Sequence, residues 1–325
     1  MRIASTTKIM TALVAIRKGD PSDMVTVSRE AAYTEGSSMY LKVGEKLTLE
    51  ELLYGLLLSS GNDAAVAIAE HIAGNVGAFC RLMTQRAAEL GCTDTVFLTP
   101  HGLPKEGHYT TAHDLALIAR EAMRHDLFRE IVSTRRASIP WEGRSYQRIL
   151  NNKNRLLTSY EGATGIKTGY TKAAGRCLVF GAKRDGMEVI GVVLRCGEWF
   201  DEAERLMNRG FEHYEMFTAF GAGETVRVVP VNEGTQETVC ILCSENLRAV
   251  VPKGTIPLML LDLPEQISAG MNAGETIGEA RLEMNGQIIA AAPLVLGETL
   301  ARRDYSFELQ RLMRNWSLAE EKIAK

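Results

Sequence analysis

The sequence predicts an α+β fold, with helices around an antiparallel sheet, then a small all-β domain and a C-terminal amphipathic helix. Three observations predict it. Apolar residues recur at helical spacing through about residue 125, and from Ala163 they alternate as in strands. After Phe217 short alternating runs are broken by Gly, Pro and Asn285-Gly286. Residues 1–216 are therefore read as the main domain, 217–303 as a β-rich domain and 304–325 as the helix.

Each element has its own signal. Ile9, Met10, Leu13, Val14 and Arg17 fall at helical spacing over 5–18, and Gly19 stops them. Thr48 caps a helix that runs to Leu58 and ends in Ser59-Ser60-Gly61. A small-residue helix follows over 63–72, then amphipathic helices over 76–90 and 111–125. Strands are predicted from Ile166 to Thr171, Arg176 to Arg184 and Met187 to Arg195, the last two joined by Asp185-Gly186, a strong hairpin signal. A helix over 201–214 closes this region. In the last twenty residues Tyr305, Leu309, Leu312, Met313, Trp316 and Ile323 form one stripe, while Arg311, Arg314, Glu320, Glu321 and Lys322 lie elsewhere.

Composition excludes several function classes. Hydrophobic residues make up 46% and charged residues 24% of the 325, as in soluble globular chains. A net charge of -3 gives no reason to expect a nucleic-acid partner. No apolar run reaches the roughly 18 residues that a membrane-crossing helix requires. The six cysteines show no disulfide-framework spacing. Cys240-Ile241-Leu242-Cys243 has the CxxC form, but in a strand its two sulfurs would point to opposite faces, so no metal or redox role is assigned. His101, His108 and His113 lack a carboxylate that would complete a ligand set, and loop packing or capping accounts for them.

Three short segments carry candidate chemistry. Ser5-Thr6-Thr7-Lys8 is an S-x-x-K at a helix start, and residues three apart on a helix have Cβ atoms about 5–6 Å apart. An amine is thereby set beside a hydroxyl that needs a base. Burial, the helix N-terminus or a second cation would lower the lysine pKa enough for that task. Taken alone, the motif is as well explained by a capping serine and a surface lysine. Ser60-Gly61-Asn62 lies between two helices, where a hydroxyl can relay a proton and an amide can hold a peptide carbonyl. Alone, it is an ordinary helix–turn–helix junction. Lys167-Thr168-Gly169 lies on the first predicted strand, where a cation and a hydroxyl could receive a carboxylate and a glycine leaves room for a ligand. Alone, it is an edge strand guarded by lysine.

Together, in the order S-x-x-K, S-x-N, K-T-G and each on a suitable element, the three motifs resemble the penicillin-binding and serine β-lactamase superfamily. Within it the chain resembles the low-molecular-mass D-alanyl-D-alanine carboxypeptidases, peptidase family S11. The likeness extends through Ala4–Ala12, Leu56–Ala65, Gly165–Thr171 and the phrase Thr99-Pro100-His101-Gly102-Leu103-Pro104, and covers essentially the whole chain.

The resemblance implies a β-lactamase/transpeptidase-like fold and a serine carboxypeptidase that removes the terminal D-Ala of peptidoglycan stem peptides. It implies Ser5 as nucleophile, Lys8 as its base and Ser60 as proton relay to the leaving D-Ala. Asn62 would hold the substrate amide, and Lys167 and Thr168 its terminal carboxylate. Gly169 and Tyr170 complete the substrate edge, with the backbone N–H groups of Ser5 and Tyr170 as oxyanion hole. No metal or organic cofactor is required, and β-lactams should acylate Ser5. The expected partners are stem peptides ending in D-Ala-D-Ala, β-lactam antibiotics and a membrane surface met by 304–325; the expected location is extracytoplasmic, in the cell envelope.

Two departures stand out. The family carries a strand hairpin ahead of S-x-x-K, where this chain has four residues and no secretory signal, which reads as a late or truncated start. Trp199 stands where relatives often have an arginine, with Arg195 the nearest basic residue. Rival readings are a class A β-lactamase, which would need a glutamate loop not found between 100 and 165, a DD-endopeptidase, and a peptidoglycan-binding protein without catalysis.

Overall fold

The computed structural model describes residues 1–323, and the chain divides into two compact units between Glu212 and His213. The division falls before Phe217 because strand Tyr214–Phe220 follows helix Trp199–His213 directly and pairs with Leu247–Pro252.

The first unit is built on three antiparallel strands in sequence order, Ala163–Thr171, Gly175–Arg184 and Met187–Val193. Asp185 and Gly186 both adopt positive φ, as a tight hairpin turn requires. The middle strand is buried without interruption from Cys177 to Ala182, because both of its faces are covered. Its side chains alternate: Val179 joins the helical core, while Leu178, Phe180 and Ala182 meet Phe200, Ala203 and Met207 of helix Trp199–His213.

At the centre of the helical core runs Lys8–Lys18, with every residue from Lys8 to Ala15 buried. A helix apolar on all faces belongs inside a core rather than on its surface. Around it pack Leu49–Leu57, Asn62–Ala73, Val76–Glu89 and Ala112–Ala122. Thr48 and Glu51 form a reciprocal capping box that fixes where Leu49–Leu57 begins. Two details differ from the sequence expectation. The turn Ala4–Thr7 is a 3-10 helix, and the α-helix starts at Lys8. The region read as 111–125 ends at Ala122, and a separate helix, Asp126–Ser133, follows.

In the second unit six strands form one sheet in the order Leu258–Asp262, Thr276–Met284, Gln287–Leu296, Thr238–Cys243, Thr225–Asn232, Ile267–Ser268. Val239, Ile241, Leu282 and Leu294 are among its core residues. Cys240 is exposed and Cys243 buried, so the CxxC sulfurs do face opposite ways. Helix Tyr305–Ile323 ends the description. Tyr305, Leu309, Leu312, Met313 and Trp316 are exposed on it. The side chains of Arg314, Glu320, Glu321, Lys322 and Ile323, and residues 324–325 altogether, lie outside the described residues. Among the described residues no helix is long and apolar enough to cross a membrane.

Candidate active site

The site begins one turn ahead of the buried helix. Ser5 lies in the 3-10 turn and Lys8 opens the α-helix, which brings Lys8 Nζ within 3.1 Å of Ser5 Oγ. Lys8 is wholly buried. Burial first, then the charges of Lys167 and Lys153, hold its ammonium well below the usual lysine range, with Asp63 opposing. Its other two partners are acceptors, Asn62 Oδ1 at 2.7 Å and the His101 carbonyl at 2.9 Å. A neutral amine has two N–H groups and one lone pair. In the neutral form that burial favours, the two acceptors would take both N–H groups and leave the lone pair toward the Ser5 hydroxyl.

The surrounding chain holds this arrangement from two sides. On one, Asn62 opens helix Asn62–Ala73; its Nδ2 donates to the Glu35 carbonyl at 2.6 Å, and its backbone N–H to the Ser37 carbonyl at 2.6 Å. Asp63 beside it accepts from Ser38 Oγ and the backbone N–H groups of Met39 and Leu41, tying down the same segment. On the other side lies the loop Thr99–Pro104. Thr11 Oγ1 donates to the Pro100 carbonyl at 2.5 Å, and Gly102 packs so closely that a Cβ there would fall 1.8 Å from the Ala4 carbonyl oxygen.

His108 anchors this loop. Its Nδ1 accepts from the Leu98 N–H at 3.0 Å, so Nε2 carries the proton and donates to Thr7 Oγ1 at 3.0 Å. Burial pushes His101 down to about 3 and His108 down to about 4, which leaves both neutral near pH 7. His113 is apart from them, exposed beside Asp114. Among the described residues no group of three His, Cys, Asp or Glu is placed to hold a metal ion.

Ser60 adopts φ 63°, and its buried Oγ has no hydrogen-bond partner among the described residues. A non-glycine residue held in this region costs on the order of 1–3 kcal/mol, which neighbouring structure must offset. Opposite it runs strand Ala163–Thr171. Lys167 is buried, its Nζ 3.3 Å from the Thr168 carbonyl, and burial together with Lys153 pushes it down to about 7. Gly169 lets this strand pass against the nucleophile's turn: a Cβ there would lie 3.0 Å from Ile3 O, Ser5 N and Thr6 N.

These segments enclose a cleft of about 380 Å³ lined by Ser5, Ser60, Thr168, Gly169 and Tyr170, with Ser37, Lys153 and Trp199. Five of the eight residues singled out from sequence thus face the cleft. Lys8, Asn62 and Lys167 stand buried behind its wall. The Asn62 amide bonds Lys8 through Oδ1 and the Glu35 carbonyl through Nδ2, one bond at each end. Arg195 is exposed next to Gly175 and does not line the cleft. Sequence reasoning missed Lys153, whose only signal is its place between Asn152 and Asn154.

A serine, a buried lysine whose hold on its proton is weakened and a glycine-backed strand edge define a serine peptidase of the Ser–Lys type. Residues 1–197 match the family described as D-alanyl-D-alanine carboxypeptidase, peptidase S11, and residues 214–302 match the C-terminal domain of penicillin-binding protein 5. D-alanyl-D-alanine carboxypeptidase DacF of Bacillus subtilis is 34% identical, over 97% of this chain and 83% of its own length. DacC of Escherichia coli is also 34% identical, over 91% of this chain and 78% of its own. The crystal structure of penicillin-binding protein 5 from Haemophilus influenzae aligns with a TM-score of 0.67 at 28% identity, covering 93% of this chain and 91% of that one. The chain belongs to the D-alanyl-D-alanine carboxypeptidase family, peptidase S11.

Proposed function

We propose that the chain cleaves the terminal D-Ala from peptidoglycan stem peptides through an acyl-enzyme on Ser5. The observation that carries the reading is the set of Lys8 contacts: two acceptors occupy its N–H groups and Ser5 Oγ faces what remains. Ser5 Oγ attacks the carbonyl carbon of the penultimate D-Ala, and its proton passes to Lys8 Nζ. The backbone N–H groups of Ser5 and Tyr170 stabilise the oxyanion. As the C–N bond breaks, the proton reaches the leaving amine by way of Ser60 Oγ, whose hydroxyl has no competing partner among the described residues. Water then attacks the ester, and the Ser5–acyl bond breaks to release the shortened peptide.

Thr168 and Lys167 lie on the strand edge along which the peptide would add. Asn62 acts through Lys8. β-Lactams acylate the same serine. The exposed stripe of helix Tyr305–Ile323 meets a membrane surface from the extracytoplasmic side. Removal of 304–325 should then abolish co-sedimentation with phosphatidylglycerol vesicles; unchanged sedimentation would end the membrane part of the reading.

The first experiment is covalent labelling. Fluorescent penicillin should give a mass-shifted adduct on the chain that is absent from Ser5→Ala, and the chain should release D-Ala from a peptide ending in D-Ala-D-Ala. A folded chain that takes no label would reduce the cleft to a binding site.

A further inference from the structure

The carbonyl that holds Lys8 from the far side of the site lies on a loop with little structure of its own. Val96 and Tyr109 close that loop by an antiparallel bridge, with N–H···O bonds of 2.9 and 3.1 Å. Between them the chain forms neither helix nor strand. Such a segment depends on side-chain contacts for a fixed shape. Its shape matters to the chemistry, because Lys8 Nζ reaches the His101 carbonyl at 2.9 Å.

His108 stands at the neck of this loop. It is 5% exposed, and its ring meets Phe97 edge to face with centroids 5.7 Å apart. Nδ1 accepts from the backbone N–H groups of Leu98 at 3.0 Å and Thr99 at 3.3 Å, while Nε2 donates to Thr7 Oγ1 at 3.0 Å. Thr7 is wholly buried and lies between Ser5 and Lys8 in the chain. One ring therefore joins the loop that carries an acceptor for Lys8 to the turn that carries the nucleophile. Two further contacts tighten the same joint. Thr99 Oγ1 accepts from the Gly102 N–H at 3.1 Å, and a Cβ at Gly102 would lie 2.8 Å from Thr7 Oγ1. Packing alone does not account for an imidazole here. A phenyl ring would meet Phe97 as well, but it would deprive the Thr7 hydroxyl and the Leu98 and Thr99 N–H groups of this partner.

We propose that His108 is a positioning residue for acylation: through Thr7 it holds the nucleophile's turn and the His101 carbonyl in one arrangement, which keeps Lys8 aimed at Ser5 Oγ. This rests on the reading of the cleft as the peptidase site. The ring does not line the cleft, so ligand binding does not depend on it.

The test follows acylation by fluorescent penicillin in wild type, His108→Phe, His108→Gln, Thr7→Val and the double variant Thr7→Val/His108→Phe. The label at saturation counts active sites, and each rate is taken per labelled Ser5. A variant that only folds less well then loses label and melting temperature but not rate. Misplacing reacting groups by about 1 Å costs up to about a hundredfold. In His108→Phe the acylation rate at saturating penicillin should fall about tenfold to a hundredfold, with the half-saturating concentration nearly unchanged. His108→Gln, which sets an amide N–H where Nε2 stood, should recover most of that rate. Thr7→Val and His108→Phe remove the same hydrogen bond, so the double variant should lose no more than the worse single one. An unchanged rate per site in His108→Phe would overturn the proposal. So would losses that multiply in the double variant, or a weakened half-saturation with the rate intact. Wild type that takes no label at all would sink the peptidase reading itself, and the proposal with it.

Discussion

A lysine can serve as a base only if its surroundings prefer the amine to the ammonium, and the contacts of Lys8 show how this chain arranges that. Burial disfavours the charge, Lys167 and Lys153 repel it, and two fixed acceptors orient the neutral form. Asn62 supplies one of those acceptors and is itself fixed by Glu35. Its role can be separated from substrate binding. Asn62→Leu keeps the volume but releases one Lys8 N–H, so the lone pair is no longer held toward Ser5. The kcat for D-Ala release should fall about a hundredfold or more, the scale of lost general-base catalysis, with KM nearly unchanged. A raised KM with an unchanged kcat would show that Asn62 contacts the substrate after all.

At the scale of elements, the site is a meeting of one strand with one helical turn. Strand Ala163–Thr171 passes the turn Ala4–Thr7 at Gly169, where any Cβ would lie 3.0 Å from three backbone atoms, Ser5 N among them. Gly169→Ala must push strand and turn apart by a few tenths of an ångström. The displaced atom is a proposed oxyanion donor, so acylation by penicillin should slow about tenfold to a hundredfold while the melting temperature changes little. An unchanged acylation rate would mean that the Ser5 N–H does not contribute. The neighbouring hairpin of Gly175–Arg184 and Met187–Val193 was legible in the sequence because Asp185-Gly186 leaves few alternatives, as was the start of helix Leu49–Leu57 from Thr48 and Glu51. The 3-10 character of Ala4–Thr7 was not, since over a single turn apolar spacing cannot separate i+3 from i+4 bonding. The paired strands Met24–Thr26 and Lys46–Thr48 are too short to alternate visibly. Among site residues, Ser5, Ser60, Thr168, Gly169 and Tyr170 announced themselves by motif. Lys153 did not, because a lone lysine in a polar loop looks the same whether or not folding turns it into a cleft.

For the molecule as a whole, buried lysines tie function to stability. The Lys167 ammonium is pushed down to about 7 in the folded chain, while unfolding returns it to the ordinary value of 10.5. Between those values the unfolded chain holds a proton on residue 167 that the folded chain lacks, so this residue makes stability rise with pH. Above 10.5 both states are neutral and the contribution is complete. It is lost as pH falls through 7, where the folded state must carry a buried ammonium. Other groups titrate in the same window, the buried thiols among them, and they are common to wild type and Lys167→Met. The difference between the two proteins isolates the lysine. Denaturant unfolding from pH 7 to 10 should give wild type the steeper rise, by up to one proton, or about 1.4 kcal/mol per pH unit. Parallel curves would mean that Lys167 keeps its ordinary affinity for the proton, and that the cleft carries a full positive charge near pH 7.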